Sequence, residues 1–307
     1  RHLDPHQLSI LQQKLGHSLP NSMFHLFHDD INNDSDPPYE PPQSFSDTYD
    51  ISSEPFQSMT AHKMSAMTIT EAERNTIEEQ TRGQSANSAW MEKRREKLTA
   101  SNFGPALTCR VEPSKKVKSI MYSNFTTSAT AFGNMTEEVA VEKYVETKRL
   151  TDPHTTCKEV GLLVSTDRPW LGASLDRLVV DSTGEGGLEV KCPSSKQDQS
   201  IDVILSDKSF CLCTVEGEVR LKTTHRYYHQ VQGQLYCAKL PWVDFVVFLG
   251  NTQDLFIQRI YVDNQWQTRN LPRLDYFYKT AILPELVTKR VRRGLTLCEK
   301  GGWKPFK

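Results

Sequence analysis

Long apolar runs are missing from this sequence. No stretch approaches the roughly 18 uninterrupted apolar residues of a membrane helix, so no membrane partner is expected. The start, Arg1-His2-Leu3-Asp4-Pro5, lacks the apolar segment of a signal peptide and also an initiator Met, which fits a fragment. Cysteine is sparse and scattered: seven residues, at 109, 157, 192, 211, 213, 237 and 298, with no C-x-x-C pair. An odd number so dispersed argues against a disulfide framework and against a zinc finger. It favours a reducing, intracellular compartment, the nucleus if the source is eukaryotic. Cys211-Leu212-Cys213 is the tightest pair and makes a poor metal site by itself. His25 and His28 lie three apart with no cysteine or carboxylate pattern beside them. There is no Walker-type phosphate loop, so an ATP-driven activity has no support, and there is no internal repeat.

Basic residues are nearly absent from the first 60 positions. These carry two basic and nine acidic side chains, a net of −7, whereas the remaining 247 carry 35 basic and 29 acidic, a net of +6. Residues 1–19 place Leu8, Leu11 and Leu15 at helical spacing, and 29–58 hold five prolines with many Asp and Ser, the composition of a linker. The division expected is an acidic, Pro-rich, partly flexible extension over 1–64 and a folded domain over 65–307. In that domain the basic residues gather at Lys93-Arg94-Arg95, Lys115-Lys116-Lys118 and Lys289-Arg290-Arg292-Arg293. Each alone is most often a solvated face; together they permit a polyanionic partner.

The most informative stretch is 172–193. Asp176 precedes the apolar run Leu178-Val179-Val180, a polar, Gly-rich segment spans Asp181 to Gly187, and Leu188-Glu189-Val190-Lys191 follows, ended by Cys192-Pro193. Two β-rich runs around a glycine segment predict a hairpin, with the turn placed over 181–187. Alternation puts Glu189 and Lys191 on one face of the second strand and Leu188 and Val190 on the other. An Asp from the paired strand then joins a Glu and a Lys. Two carboxylates so placed suit Mg²⁺ or Mn²⁺, which take oxygen ligands, and the lysine can offset phosphate charge or orient a water. An arbitrary D…ExK match usually marks an exposed hairpin. Here the small residues Gly172, Ala173 and Ser174 before Asp176 and the abrupt Pro193 leave room for a ligand.

The remaining elements fall into place around this hairpin. Thr70-Glu71-Ala72-Glu73 predicts a capped helix running to about Gly83, and a second helix spans Ser88 to about Lys97. A third opens near Ala131 and runs to about Arg149, with Val139, Val141, Tyr144 and Val145 as its apolar side. Val160–Val164 and Trp170–Ser174 read as strands, 194–210 as a polar loop with a short helix, and Tyr227–Tyr236 as a helix. Trp242–Leu249 and Leu255–Val262 form a second hairpin, and a last helix spans about Arg273 to Arg290.

Asp176 with Glu189-Val190-Lys191-Cys192-Pro193 resembles the D…(E)xK core of restriction-endonuclease-like nucleases. More closely it resembles the lambda-type exonuclease or YqaJ-type viral recombinase family, S-x-D…G-L-E-x-K-C-P. Trp90 and Arg94 followed by Thr99-Ala100-Ser101, Gly133 followed by Glu137, and the Tyr227/Gln230/Gln232 pattern match further landmarks in order, over about residues 86–290. The resemblance implies an α/β, restriction-endonuclease-like fold with a mixed central sheet flanked by helices. The activity it implies is metal-dependent hydrolysis of DNA, from 5′ ends of linear duplex. It assigns Asp176, Glu189 and the carbonyl of Val190 to one Mg²⁺ (or Mn²⁺), and Glu137 to a second metal or a water. Lys191 and Gln230 act on the water or the phosphate; Arg94, Thr99, Ser101, Ser174 and Tyr227 form the phosphate and DNA contacts. A single-strand annealing or recombination protein is a possible partner, and a homo-oligomer is possible. The alternative is a nuclease fold that binds DNA or a protein without cutting.

Overall fold

The computed structural model describes residues 54–122, 128–299 and 301–306. The helix expected over 1–19 and the pair His25/His28 lie outside them. Helices α1 (Glu54–Ser65), α2 (Glu71–Gln80) and α3 (Ser88–Arg95) come first. Thr70 caps α2 with a reciprocal capping box to Glu73, as its sequence predicts. The linker reading of 29–58 overreaches: 54–58 belong to α1, whose Phe56 is buried. Strand β1 (Leu98–Thr99) leads to the short helix α4 (Phe103–Leu107) and to α5 (Ser114–Tyr122), which carries one of the basic clusters. Helix α6 (Ser128–Arg149) is 22 residues long. It starts earlier than expected, so Glu137 lies well inside it and not in the first turn. Val139 is an outward-facing residue, exposed where Ala140, Val141 and Tyr144 are buried.

Strands β2 (Thr156–Lys158), β3 (Leu163–Val164), β4 (Leu171–Ala173), β5 (Arg177–Asp181) and β6 (Gly184–Lys191) follow. After α7 (Ile201–Ile204) comes an unpredicted hairpin, β7 (Leu212–Val215) and β8 (Glu218–Leu221). Then come α8 (Arg226–Ala238), β9 (Trp242–Leu249) and β10 (Asp254–Tyr261). The chain ends in α9 (Asn264–Phe277), a π-helical turn (Tyr278–Ile282) and α10 (Leu283–Thr288). The final helical stretch thus begins at 264, not near 273; Asp263 caps it by accepting from the backbone of Trp266.

Five strands form the central sheet in the order β10-β9-β6-β5-β2. Only β6 and β9 are parallel, so the sheet is mixed, as expected. All eight residues of β9 are buried, which explains its nearly unbroken apolar sequence. Leu188, Val190, Val179, Val246 and Phe248 pack with Ala140, Val141 and Tyr144 of α6. Leu175, Val243, Phe245 and Val247 pack with Val231 and Leu235 of α8. The one acid in β9, Asp244, is fully buried beneath α6. It accepts the Tyr144 hydroxyl at 2.6 Å and Arg259 Nε at 2.8 Å, and Arg259 also reaches Asp181 at 2.7 Å. A paired buried charge of this kind seats α6, and Glu137 with it, at a fixed place on the sheet. The strands expected at 160–164 and 170–174 are real but shorter. They belong to a separate three-stranded sheet, β1-β4-β3, over a second core with α4 and α9.

The central hairpin differs from its sequence reading in one respect. Its turn is only Ser182-Thr183, tied by Asp181 Oδ1, which accepts from the amide and hydroxyl of Thr183. Gly184 closes the turn at φ +111, while Gly186 and Gly187 are strand residues. They are small because of packing: a Cβ on Gly186 would lie 2.2 Å from the Trp242 ring, whose other neighbour is the Arg259 guanidinium, 3.4 Å from the ring centroid. Neither can retreat without breaking the buried ion pairs. Gly186→Ala is therefore expected to cost about 1–3 kcal/mol by overpacking. Thermal melting of the two proteins checks this; an unchanged midpoint would mean that Trp242 is free to move.

Candidate active site

The three residues of the hairpin motif come together where its pairing ends. Strand β5 starts at Arg177, and Asp176 before it bonds through its own amide to Leu188 O at 3.0 Å. The amide of Val190 is satisfied by the carboxylate of Asp176, Oδ2, at 2.6 Å. A side chain thus replaces a backbone acceptor, and this locks Asp176 against β6. Glu189, 2 % exposed, lies on the α8 face and Val190 on the α6 face, as the alternation predicts. Pro193 follows at once and cannot continue a central strand.

Helix α8 supplies what holds Glu189. Gln230 Nε2 donates to Glu189 Oε1 at 2.6 Å, and Gln234, one turn on, donates to Oε2 and to Ser174 O at 2.9 Å. Lys191 Nζ pairs with Glu189 Oε1 and lies 4.9 Å from the centre of the Tyr227 ring. Gln234 was not singled out from the sequence, although a Gln four residues after Gln230 shares its helix face. Gln232 faces away and bonds to Tyr261 O and the amide of Asp263, so it is a packing residue.

Burial and the nearby carboxylates of Glu189 and Glu137 hold the Asp176 carboxyl well above its ordinary range. Glu137 is raised as well, by burial first; Arg177, 3.7 Å away, opposes this, and Glu189 adds to it. Burial works against the Lys191 charge, but Glu189 and Asp176 outweigh it and hold the ammonium above its usual value. The cluster is thus short of positive charge. Glu137, Asp176 and Lys191 open on a cleft of about 530 Å³, also lined by His225, Arg226 and Tyr227. His225 caps α8 by accepting the amide of Tyr227 at Nδ1, and burial, with Arg226 and Lys222 beside it, lowers its pKa to about 4. Neither His225 nor Arg226 carries a motif in the sequence; only the fold brings them here.

The donor set fits a hard divalent cation in part. Carboxylate oxygens are the right ligand type, and their mutual repulsion is what a cation would relieve. Yet among the described residues no three His, Cys, Asp or Glu side chains stand close enough to form a metal cage by themselves. Mg²⁺ commonly uses one or two carboxylates and completes its shell with water and substrate phosphate, and Asp176 with Glu189 supplies that minimum. Cys211, buried, lines the same cleft just before β7, and Cys213, half-buried, lies on β7; both are free thiols.

A second polar group lies beside the first. Trp90 Nε1 donates to Ser174 Oγ at 2.8 Å, and the Arg94 guanidinium stacks 3.9 Å from the centre of the Trp90 ring. Arg94 Nη2 reaches Thr99 Oγ1 at 3.4 Å, which lies 3.3 Å from Ser101 Oγ. One turn of α3 thus sets Trp90 and Arg94 side by side, but Arg94 folds inward over the ring. Burial alone pulls its pKa down to about 10, and among the described residues no carboxylate pairs with it. A cation desolvated without a counter-ion is suited to an anionic ligand. Ser101 is exposed, and the helix after it, α4, has five residues, so the helix start adds little here. Ser174 joins the two groups: its hydroxyl accepts from Trp90, and its carbonyl from Gln234.

Several solved structures are similar to this chain. An alkaline exonuclease (LHK-Exo) from Laribacter hongkongensis is 23 % identical, with 67 % of this chain and 96 % of that one covered and a TM-score of 0.49. A SOX–DNA complex is 14 % identical over 70 % and 72 % of the two chains, with a TM-score of 0.45. The shutoff and exonuclease protein of Kaposi's sarcoma-associated herpesvirus is 12 % identical over 69 % and 73 %, with a TM-score of 0.40. No curated protein matches the chain. Residues 23–195 match the viral alkaline exonuclease family. That span holds Trp90, Arg94, Glu137, Asp176, Glu189 and Lys191, more than half of the chain's length, and the chain belongs to the viral alkaline exonuclease family.

Proposed function

We propose that this nuclease is a divalent-metal-dependent DNA exonuclease acting from 5′-phosphorylated ends of duplex DNA. The observation that carries the reading is that Asp176 and Lys191 open on a cleft with Glu189 buried directly behind them against Lys191, and that Arg94, without a carboxylate partner among the described residues, stacks on Trp90, which bonds to Ser174 beside them. In this reading Asp176 and Glu189 hold one Mg²⁺ or Mn²⁺ with the carbonyl of Val190, and Glu137 assists at the mouth of the cleft. The metal supplies Lewis-acid activation of water and charge stabilisation at the phosphate. Gln230 and Gln234 keep Glu189 in place, and the Lys191 ammonium offsets charge on the phosphate under attack. Arg94, Thr99 and Ser101 hold the terminal phosphate, with Tyr227 a DNA contact near Lys191. Water adds to phosphorus, the bond to the 3′ oxygen of the terminal nucleotide breaks, and that oxygen takes a proton. The shortened strand again carries a 5′ phosphate, so each cut recreates an end that suits the Arg94 pocket.

The test is digestion of end-labelled linear and circular duplexes with Mg²⁺, with Mn²⁺ and with EDTA. Cutting of linear DNA only, starting from the 5′ label and lost in EDTA, is the expected result. Undiminished cutting in EDTA removes the two-carboxylate reading. Binding without cutting under every divalent ion leaves a nuclease fold used for binding alone.

A further inference from the structure

Helix α8 passes the whole candidate site in one direction. Gln234 donates to Ser174 O at 2.9 Å, beside the Arg94 pocket. Gln230, one turn earlier, donates to Glu189 Oε1 at 2.6 Å. The Tyr227 ring then lies 4.9 Å from Lys191 Nζ, and Arg226 comes last, at the first position of the helix. At about 1.5 Å per residue, Gln234 and Arg226 stand about 12 Å apart along the axis. The cleft of about 530 Å³ lies toward the Arg226 end. Asp176, Lys191, His225, Arg226 and Tyr227 line it, whereas Trp90, Arg94, Thr99, Ser101 and Ser174 do not. The end pocket, the acids and the open cleft thus follow one another along α8.

The two cations that line the cleft differ. Lys191 pairs with Glu189. Arg226 is exposed, and among the described residues no carboxylate pairs with it. Its guanidinium lies 5.1 Å from the centre of the Tyr227 ring, and Nη2 donates to the Tyr227 hydroxyl oxygen at 3.4 Å. Arg226 and Lys191 share that ring, so their charges lie within about 10 Å of each other. A strand carries one charge per about 3.4 Å of helix axis, so Arg226 can serve only the first phosphates after one held at Lys191. Other cations near this end are engaged: Lys196 by Asp207, and Lys222 by the carbonyls of Lys208 and Phe210. The helix dipole opposes a cation in the first turn, so fold stability gives no reason for Arg226 to stand there. An anion would meet the guanidinium and the positive end of the dipole together. Packing fixes the place. A Cβ on Gly104 of α4 would lie 2.8 Å from Arg226 Cβ and 2.9 Å from its Cα, so α4 rests directly on the start of α8.

With the terminal phosphate at Arg94 and the attacked one at Lys191, the strand continues toward Arg226. We propose that Arg226 binds the next phosphate, the one between the second and third nucleotides of the strand being cut. The proposal rests on the nuclease reading of the site and adds its contact on the retained side. After each cut the attacked phosphate becomes the new 5′ end and passes to Arg94. The phosphate at Arg226 then moves up to Lys191, so holding it beforehand keeps the strand in register.

The test compares the parent with Arg226→Gln on 5′-phosphorylated duplexes of 30 base pairs. The cut strand is either unmodified or carries one neutral methylphosphonate, between nucleotides 2 and 3 or, as a control, between 8 and 9. Release of the labelled terminal nucleotide reports the first cut. On unmodified and control DNA the variant should lose about tenfold in kcat/KM, the effect of one charge-assisted contact. With the neutral linkage at 2–3 the parent should lose a similar factor, and the variant should stay within about twofold of it. Arg226→Lys, which keeps the charge, should recover most of the loss. Arg226→Gln should melt no earlier than the parent, because it removes a cation from a helix start. A tenfold loss that persists on the 2–3 methylphosphonate would overturn the proposal and make Arg226 a support for Tyr227. So would an unchanged rate on unmodified DNA. Affinities of the same duplexes are measured in EDTA. If the parent never cuts, but its preference for the charged 2–3 linkage vanishes in Arg226→Gln, the nuclease reading falls and the contact stands. A parent that cuts with no such coupling keeps the nuclease reading and loses the contact.

Discussion

Asp176→Asn should abolish cleavage and leave the fold intact. The asparagine keeps an oxygen to accept the amide of Val190, a bond of 2.6 Å in the parent, so the join between Asp176 and β6 survives. What it loses is one ligand charge of the proposed metal pair. A fall of about a thousandfold or more, equivalent to roughly 4 kcal/mol of barrier, is expected for cutting in Mg²⁺. The stability effect should run the other way. The folded protein holds the Asp176 proton more tightly than an unfolded chain does, because burial, Glu189 and Glu137 disfavour the carboxylate. Ionising it therefore costs stability as pH rises above the ordinary carboxylate range. In EDTA at neutral pH the variant should melt no earlier than the parent, and the parent alone should gain melting temperature on adding Mg²⁺. Glu189→Gln should lose cutting as fully, but it faces its new amide toward the donors of Gln230 and Gln234, so a lower midpoint is expected there. Retained cutting by Asp176→Asn would move the metal elsewhere.

Arg94→Ala should separate the two kinds of DNA end. Arg94 is half-buried over the Trp90 ring and has no carboxylate partner among the described residues, so a terminal phosphate would be its natural counter-ion. A lost charge-assisted hydrogen bond is worth about 1.5–3 kcal/mol. Initial rates on 5′-phosphorylated ends should therefore fall roughly ten- to a hundredfold. Rates on 5′-hydroxyl ends should change much less, because they never used the full contact. Arg94→Lys should recover part of the rate, since it keeps the charge but loses the planar stack on Trp90. An equal loss on both ends would make Arg94 a structural or general DNA contact.

What could be read from the sequence was whatever repeats with the period of a strand or a helix. The alternation Leu188-Glu189-Val190-Lys191 assigned the charged pair to one face, and the structure keeps it there because each face must be covered by a different helix. The capping box at Thr70 and the hairpin of β9 and β10 were legible for the same reason: their signals lie within a few residues of one another. Spacing also tied Arg94 to Trp90, but its direction depended on packing: the stack on the indole turns it inward against the cost of desolvation. Gln232 and Gln234 are both good matches to a polar helix position. Which of them meets Glu189 was settled by the side of α8 that rests on the sheet. The glycines of β6 read as a loop because a turn and a crowded strand both call for a missing side chain, and only the Trp242 ring across the sheet distinguishes them. Arg95, Lys118 and Lys289, each a common surface residue, form one cleft because the end of α3, the middle of α5 and the residues after α10 meet in the fold. The sequence by itself therefore determined the acids, the lysine and the faces they occupy, since these depend on local backbone geometry. The tertiary structure alone decided which cations are left unpaired and where they gather, since charge pairing is set by distance in space and not along the chain.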